Sequence, residues 1–237
     1  YVRTELSAIR FMHHITPNTR HELEDSKTFN KRFDFKPSVS RNIDRAWTDE
    51  EIKGICQLAI KKGRKEYADM IEFIHLSGCR LNEVATLRRH HLEKALREGK
   101  LYLINTKGGR PRKVPVGDEL RGKISELLPT VERGEYVFVP KDMKVHIFKR
   151  QAQDFLVKNR AEIQNDTRQT TAHNLEKGDQ GALTWHGLRH TYAQRYYKDM
   201  RKKGYSDEAT RQKLTEVLGH GRIEITYVYV PRNFTHK

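Results

Sequence analysis

Apolar residues recur at helical intervals along most of the chain. In "WTDEEIKGICQLAI", Ile52, Ile55, Cys56 and Ala59 share one face, and Thr48 with Glu51 forms the capping-box pattern that starts a helix. A second helix is predicted through "EYADMIEFIHLSG", with Tyr67, Met70, Ile71 and Ile74 on one side and Gly78 as its stop. "CRLNEVATL" opens another helix directly afterwards. Further on, "VHIFKRQAQDFLVKNR" (145–160) reads as a basic helix, and two more are predicted around 185–202 and 207–219. The pattern changes at "KLYLINTKGGRPRKVPV" (100–116), where two β-rich runs flank a Gly-Gly turn and predict a hairpin. "EYVFVP" (135–140) is another short apolar run, and the alternation in "TYVYV" favours a half-buried strand or a core contact. The sum is a mainly α fold with a small antiparallel β-sheet, an α+β arrangement.

Polar stretches divide this pattern. "QNDTRQTTAHNLEKGDQGA" (164–182) reads as a loop, and "KPSVSRNIDR" (36–45) has the composition of a linker whose charge suits a segment lying on nucleic acid. Before the linker, Leu6, Ile9, Phe11 and Met12 predict one amphipathic helix, followed by the short apolar-basic stretch "FNKRFDF". Residues 1–40 are therefore expected to be the end of a helical domain plus linker, and 41–237 the main domain. The chain opens in mid-pattern and without Met, so a longer protein is expected.

Composition narrows the partner. Lys and Arg number 46 against 31 Asp and Glu, a net charge of 46 − 31 = +15, which favours an anionic partner, most commonly nucleic acid. A hydrophobic fraction of 36% is enough for a core at 237 residues and excludes a wholly disordered chain. Cys56 and Cys79 have no Cys-x-x-Cys spacing, which argues against a disulfide scaffold or a cysteine zinc site and fits a reducing compartment. No apolar run approaches the roughly 20 residues that span a bilayer. The expectation is a soluble cytoplasmic protein with no membrane association.

Four places carry candidate chemistry. "SGCRLNEV" puts Arg80 just past a helix stop. "NTKGGR" puts Lys107 near the tip of a basic hairpin. "HGLRH" places His186, Arg189 and His190 on one helical face, and "LGHGRIEITYVYV" puts His220 past a glycine stop ahead of Tyr227 and Tyr229. Arginine is always charged and grips phosphate through two N–H groups, so Arg80 and Arg189 could hold the non-bridging oxygens of one phosphodiester. Those oxygens gain charge in a pentacoordinate transition state, where preorganised cations help most. A tyrosine hydroxyl could attack the phosphorus, a hairpin lysine could protonate the leaving hydroxyl, and the histidines could carry the tyrosine proton or donate to phosphate. No acidic metal-ligand cluster accompanies them, so the cations would substitute for a metal. The negative group that reconciles the crowded cations is then a DNA phosphate.

The ordered set "GCRLNEVATL", "TKGGRPRKVPV", "HGLRHTYA" and "LGHGRIEITYVY" resembles the catalytic domain of the tyrosine recombinase (phage integrase) family. The matching positions are Arg80, Lys107, His186, Arg189, His220 and Tyr229, over about residues 45 to 230. Tyr229 is favoured over Tyr227 because it lies nine residues beyond His220. Glu83 matches the acidic residue that supports the first arginine. The resemblance implies a site-specific DNA recombinase or integrase that cuts and rejoins strands through a 3′-phosphotyrosyl link, in the integration, excision or transposition of mobile DNA. In that reading Arg80 and Arg189 hold the phosphate with help from His220, Lys107 is the general acid and His186 the proton carrier. It also implies that no metal and no cofactor are used, and that residues 1–40 end a core-binding DNA domain. The expected partners are double-stranded DNA with inverted-repeat core sites, a homo-oligomer that reaches a tetramer in synapsis, and DNA-bending accessory proteins. Location on the nucleoid of a prokaryote, with a phage or mobile-element origin, belongs to the same implication.

Other readings stand beside this one. Arg80 alone could be a surface arginine at a helix start, and Arg110 replaces Lys107 if the hairpin register differs. His186, His190 and His220 could be zinc ligands, though no supporting carboxylate lies between them. His190 reads as a buried or hydrogen-bonded helper, and His220 as a helix C-terminal cap as well as a phosphate donor. Arg41, Arg45, Arg110, Arg112, Lys149 and Arg150 are expected as DNA-backbone contacts or a solvated basic face. A type IB topoisomerase, which reseals the same strand, and a non-catalytic DNA-binding regulator on the same fold are the functional rivals. A metal-dependent nuclease is a further one.

Overall fold

A computed structural model describes residues 8–9, 11–12, 25–33, 44–104, 111–164, 182–232 and 234. The chain forms two compact units, Tyr1–Arg41 and Asn42–Lys237. In the first, helix α1 spans Ser26–Arg32, and the rings of Phe29 and Phe33 pack with centroids 4.6 Å apart.

The second unit is mainly helical around one two-stranded antiparallel sheet. Helix α2 (Asp49–Lys61) begins with the expected capping box: the Glu51 N–H donates to Thr48 Oγ1 at 3.2 Å and the Thr48 N–H to Glu51 Oε2 at 3.0 Å. Its buried face is Ile52, Ile55, Cys56 and Ala59, as the spacing predicts. Helix α3 (Lys65–Ser77) buries Tyr67, Met70, Ile71 and Ile74 and packs against α2. It ends at Gly78, in the left-handed region at φ 62°. A Cβ there would also stand 2.3 Å from Tyr192 Cδ1, so both the turn and the packing demand glycine.

Short helix α4 (Leu81–Ala85) and helix α5 (Arg89–Glu98) lead into strand β1 (Lys100–Leu103), which pairs with β2 (Arg112–Pro115). The register sets Leu101 against Val114 and Leu103 against Arg112. Alternation then turns Leu101, Leu103, Arg112 and Val114 to the buried side. The hairpin prediction holds for the strands; its turn lies outside the described residues. The apolar run 135–140 forms no strand and makes a single bridge between Arg88 and Tyr136.

Helix α6 (Asp118–Leu127) and basic helix α7 (Val145–Asn159) follow. Helices α8 (Trp185–Lys202) and α9 (Asp207–Leu218) come next, close to the predicted spans. The "TYVYV" alternation does not become a strand. A 3-10 turn (Ile223–Ile225) runs into one helical turn, α10 (Thr226–Tyr229). Thr226 Oγ1 donates to the Ile223 carbonyl at 2.6 Å and the Val230 N–H to the Thr226 carbonyl at 2.9 Å. These local bonds satisfy the backbone that a strand would need a neighbour to satisfy. Among the described residues no helix is long and apolar enough to cross a membrane.

Three packings position the site. Helix α8 lies against α3 and α9, and β2 lies against α9. Trp47 wedges beside α8: its Nε1 donates to the Thr184 carbonyl at 3.0 Å and its backbone N–H to Thr191 Oγ1 at 2.8 Å. Gly187 makes room for this strand of chain, since a Cβ there would meet the Arg45 carbonyl oxygen and Trp47 Nε1 at 2.5 Å each.

Candidate active site

The site assembles where α3 and α9 end. The left-handed stop at Gly78 reverses the chain so that Arg80 becomes the residue preceding α4. Glu83, one turn on, fixes it twice: Oε2 accepts the Arg80 N–H at 2.7 Å and Oε1 accepts Arg80 Nη1 at 2.8 Å. The same carboxylate takes Arg112 Nη2 at 2.5 Å on Oε2. Desolvation alone would raise the Glu83 pKa; Arg112, and then Arg80, outweigh it and hold the carboxyl below its ordinary value.

Arg112 thus differs from its expected role on the DNA surface. It is 5% exposed, because its register opposite Leu103 turns it inward. Its Nη1 donates to the Val217 carbonyl, and its Nη2 reaches the Gly78 carbonyl at 3.5 Å as well as Glu83.

Arg189 on α8 is wholly buried. Its Nη1 donates to the Gly78 carbonyl at 2.6 Å and its Nη2 to the Leu218 carbonyl. Both buried arginines are therefore held by carbonyls at the ends of α3 and α9, where the helix dipoles are negative. Burial, and then Arg112, still pull the Arg189 pKa down to about 10. Its Nε finds no hydrogen-bond partner among the described residues.

His220 follows the left-handed Gly219, whose φ is 68°. The His220 N–H donates back to the Thr215 carbonyl at 3.0 Å, closing the helix end in a Schellman-type bond. This geometry points its ring at the tyrosine: Nε2 lies 3.1 Å from Tyr229 Oη and 3.4 Å from Arg189 Nη2.

Tyr229 is 4% exposed. Around it stand the rings of His190, His220 and His186, with centroids 4.5, 5.5 and 5.8 Å away. Arg189 Cζ is 5.9 Å from its ring centre. Tyr227 faces elsewhere, its ring 4.0 Å from Arg211 Cζ.

All three histidines are held neutral. Desolvation and then Arg189, Arg80 and Arg112 lower His220 to about 4. Crowding by protein atoms, then Arg189, Arg80 and Arg45, lowers His186 to about 4, although this residue stands at the open edge of the cluster and is exposed. His190, 2% exposed, falls to about 3 through burial and then His186. The three side chains on one face of α8 therefore carry one charge at neutral pH, that of Arg189.

The remaining expected residues fall in different places. Arg45 and Arg150 are exposed. Lys149 Nζ donates to Asn82 Oδ1 at 2.6 Å, on the rim of a cleft of about 340 Å³ that Arg80, Trp185 and His186 also line. Lys107, Arg110 and Arg41 lie outside the described residues. Among the described residues no three His, Cys, Asp or Glu side chains group to hold a metal ion. Two arginines belong to the site in ways that sequence reasoning misses. The signal for Arg112 is its alternation with Val114, and that for Arg211 is its i, i+4 spacing from Asp207 beside the apolar Leu214.

Comparison with known proteins gives the family and the fold. The phage integrase family matches over residues 45–236, and the chain belongs to that family. Its fold is that of tyrosine recombinase catalytic domains. It is similar to the XerA recombinase, at 18% identity and a TM-score of 0.52 over 94% of this chain and 76% of that one. It is also similar to the Tn1549 transposon integrase in complex with transposon right end DNA, at 15% identity and a TM-score of 0.56 over 96% and 71% of the two chains. A lambda integrase dimer bound to a COC′ core site gives 16% identity and a TM-score of 0.56 over 85% of this chain and 52% of that one. No curated protein matches the chain in sequence.

Proposed function

We propose that this recombinase cuts and rejoins duplex DNA at inverted-repeat core sites through a 3′-phosphotyrosyl bond to Tyr229. The observation that carries the reading is the single line of contacts from Arg189 Nη2 through His220 Nε2 to Tyr229 Oη, at 3.4 and 3.1 Å. A nucleophile, its hydrogen-bond partner and a phosphate-binding cation meet there.

In the cleavage step Tyr229 Oη attacks the scissile phosphorus, the bond to the 5′-oxygen breaks, and that oxygen leaves as a hydroxyl. Arg80 and Arg189 take the charge gathering on the non-bridging oxygens. We assign the tyrosine proton to His220 rather than His186, because His220 is the imidazole within hydrogen-bond reach of the hydroxyl. Burial is the first cause of its lowered pKa, and Arg189 and Arg80 add to it; a phosphate bound between those two cations would offset their share. Lys107 is assigned the proton delivered to the leaving oxygen. A 5′-hydroxyl of a partner strand then reverses the chemistry at phosphorus, freeing Tyr229. The cations supply the role a metal would otherwise fill, so no metal or cofactor is needed.

The net charge of +15 supports duplex DNA as the substrate, with exposed Arg45 and Arg150 and half-buried Lys149 as backbone contacts, joined by Arg41 and Arg110. We assign residues 1–40 to the end of a core-binding domain. A tetramer on two duplexes, DNA-bending accessory proteins, a role in moving mobile DNA, and a place on the nucleoid of a prokaryotic host complete the reading.

The test is covalent trapping on nicked duplexes carrying terminal inverted repeats, in EDTA, read on denaturing gels. An adduct is expected that persists in Tyr227→Phe and is absent in Tyr229→Phe. No adduct on DNA that the protein binds would return the regulator reading. Relaxation of supercoils lacking any repeat would favour a topoisomerase.

A further inference from the structure

The tyrosine-bearing turn α10 is only four residues long, too short to hold itself in place. It is gripped instead from α9 by Arg211, a buried cation the chemistry above does not use. Arg211 Nη1 donates to Thr226 Oγ1 at 3.3 Å and to the Val230 carbonyl at 3.0 Å, the first residue of the turn and the one just past Tyr229. Its Nε donates to both carboxylate oxygens of Asp207 at 3.0 Å, which fixes the guanidinium plane. Its Cζ lies 4.0 Å from the ring centre of Tyr227 and 5.1 Å from that of Tyr197, so one face of the turn is stacked onto it. From α8, Gln194 Nε2 donates to the Tyr229 carbonyl at 3.3 Å.

We propose that Arg211, with Tyr227 as its stacking partner, is a positioning residue that fixes Tyr229 Oη at His220. The inference rests on Tyr229 being the nucleophile. Arg211 touches neither the phosphate nor Tyr229 Oη; it acts through the backbone on either side of the tyrosine. A planar fork with several donors can bond two acceptors and stack at once, which lysine cannot reproduce. The duplicated tyrosine in "TYVY" thereby divides its labour: one ring anchors the turn and the other presents its hydroxyl.

The experiment pairs hydrogen exchange of the free protein with single-turnover adduct formation on pre-bound nicked duplex. In Arg211→Gln, amides of residues 226–230 are expected to exchange faster while those of α3 stay protected. Adduct formation is expected to slow by about a hundredfold, the cost of a misplaced nucleophile, with unchanged affinity for the duplex. A purely structural role would lower affinity, protection throughout and rate together. Because Arg211 is buried, Tyr227→Ala is measured beside it. Loss of adduct rate in Tyr227→Ala, recovered in Tyr227→Phe, supports the clamp even if Arg211→Gln unfolds. Unchanged exchange at 226–230 in a folded Arg211→Gln, or in Tyr227→Ala, overturns it, as does an adduct that forms faster. If the unaltered protein forms no adduct, the nucleophile assignment fails, while the exchange result still decides whether Arg211 holds the turn.

Discussion

Arg112 and Arg189 share one acceptor, the carbonyl oxygen of Gly78, at 3.5 and 2.6 Å. Each also bonds one of two successive carbonyls at the end of α9, Val217 for Arg112 and Leu218 for Arg189. Two buried cations are thus set side by side by three backbone carbonyls and one carboxylate. The arrangement ties the hairpin, α4, α8 and the turn before His220 into a single unit.

Breaking that unit at Arg112 is expected to damage both stability and chemistry. Arg112→Met leaves the Glu83 carboxylate buried with Arg80 alone and the Val217 carbonyl without its guanidinium donor, while the Gly78 carbonyl keeps Arg189. Removing one partner of a buried pair costs about 3 kcal/mol or more, so the unfolding free energy should fall by that amount and the denaturant midpoint should fall with it. Adduct formation should also slow in protein that remains folded, because Glu83 no longer has Arg112 to steady its hold on Arg80. A midpoint equal to that of the unaltered chain would show that the Arg112 bonds contribute nothing net.

Gly78 offers a steric test of the same corner. Gly78→Ala combines a left-handed backbone with a Cβ 2.3 Å from the Tyr192 ring. The strained backbone and the overpacking together predict a loss of about 2 kcal/mol or more. Tyr192→Ala in the same chain should relieve the clash and leave only the backbone strain. A double variant no more tolerant of the alanine than the single one would place the cost elsewhere.

Much of this architecture is legible in the pattern of residues itself. Helices α2, α3, α8 and α9 follow from spacing and caps because each buries one apolar face and ends at a residue with a distinct backbone preference, such as Thr48, Gly78 and Gly219. The order of Arg80, His186, Arg189, His220 and Tyr229 is legible too, since the chemistry constrains residue type. What spacing alone leaves open is which way a long side chain turns. Arg112 lies in a basic run with Arg110 and Lys113, where charge suggests solvent, yet strand register decides the matter and sends it inward. The "TYVYV" stretch carries a β pattern, but among the described residues no strand pairs with it, and Arg211 stabilises a helical turn instead. The choice of His220 over His186 as the tyrosine's partner depends on a 3.1 Å contact set by the helix end at Gly219, which no local pattern encodes.

The Glu83 carboxyl gives a pH-dependent signature at the acidic end. Its folded pKa lies below the ordinary 4.5 because Arg112 and Arg80 outweigh its desolvation. The stability it contributes is present above the unfolded value and lost as pH falls through the lowered folded one. Glu83→Gln should therefore be less stable than the parent at neutral pH and should lose less on acidification below about 4.5. Parallel acid-unfolding curves for the two chains would contradict this.

His190 acts in a different window, for a different reason. It is a neutral imidazole buried against Tyr229, with a folded pKa of about 3 set by burial and then by His186. Its Nε2 has no hydrogen-bond partner among the described residues, so no acceptor is seen to welcome a second proton. In the unfolded chain the same side chain titrates near 6.5. Between those values the unfolded state binds a proton that the native state refuses, so stability is complete above about pH 6.5 and falls steadily as the pH drops toward 3. The slope from this one group approaches ~1.4 kcal/mol per pH unit at its steepest. Replacing the imidazole with a ring that cannot titrate, His190→Phe, should flatten the loss of stability between pH 6 and pH 5, where Glu83 contributes little. The substitution adds bulk beside Tyr229, so its neutral-pH stability is expected to be lower, and the comparison is of slopes rather than absolute values. Urea unfolding at half-unit pH steps measures them. Equal slopes in the two chains would mean that His190 is already protonated when folded, and that the neutral cage around Tyr229 is misassigned.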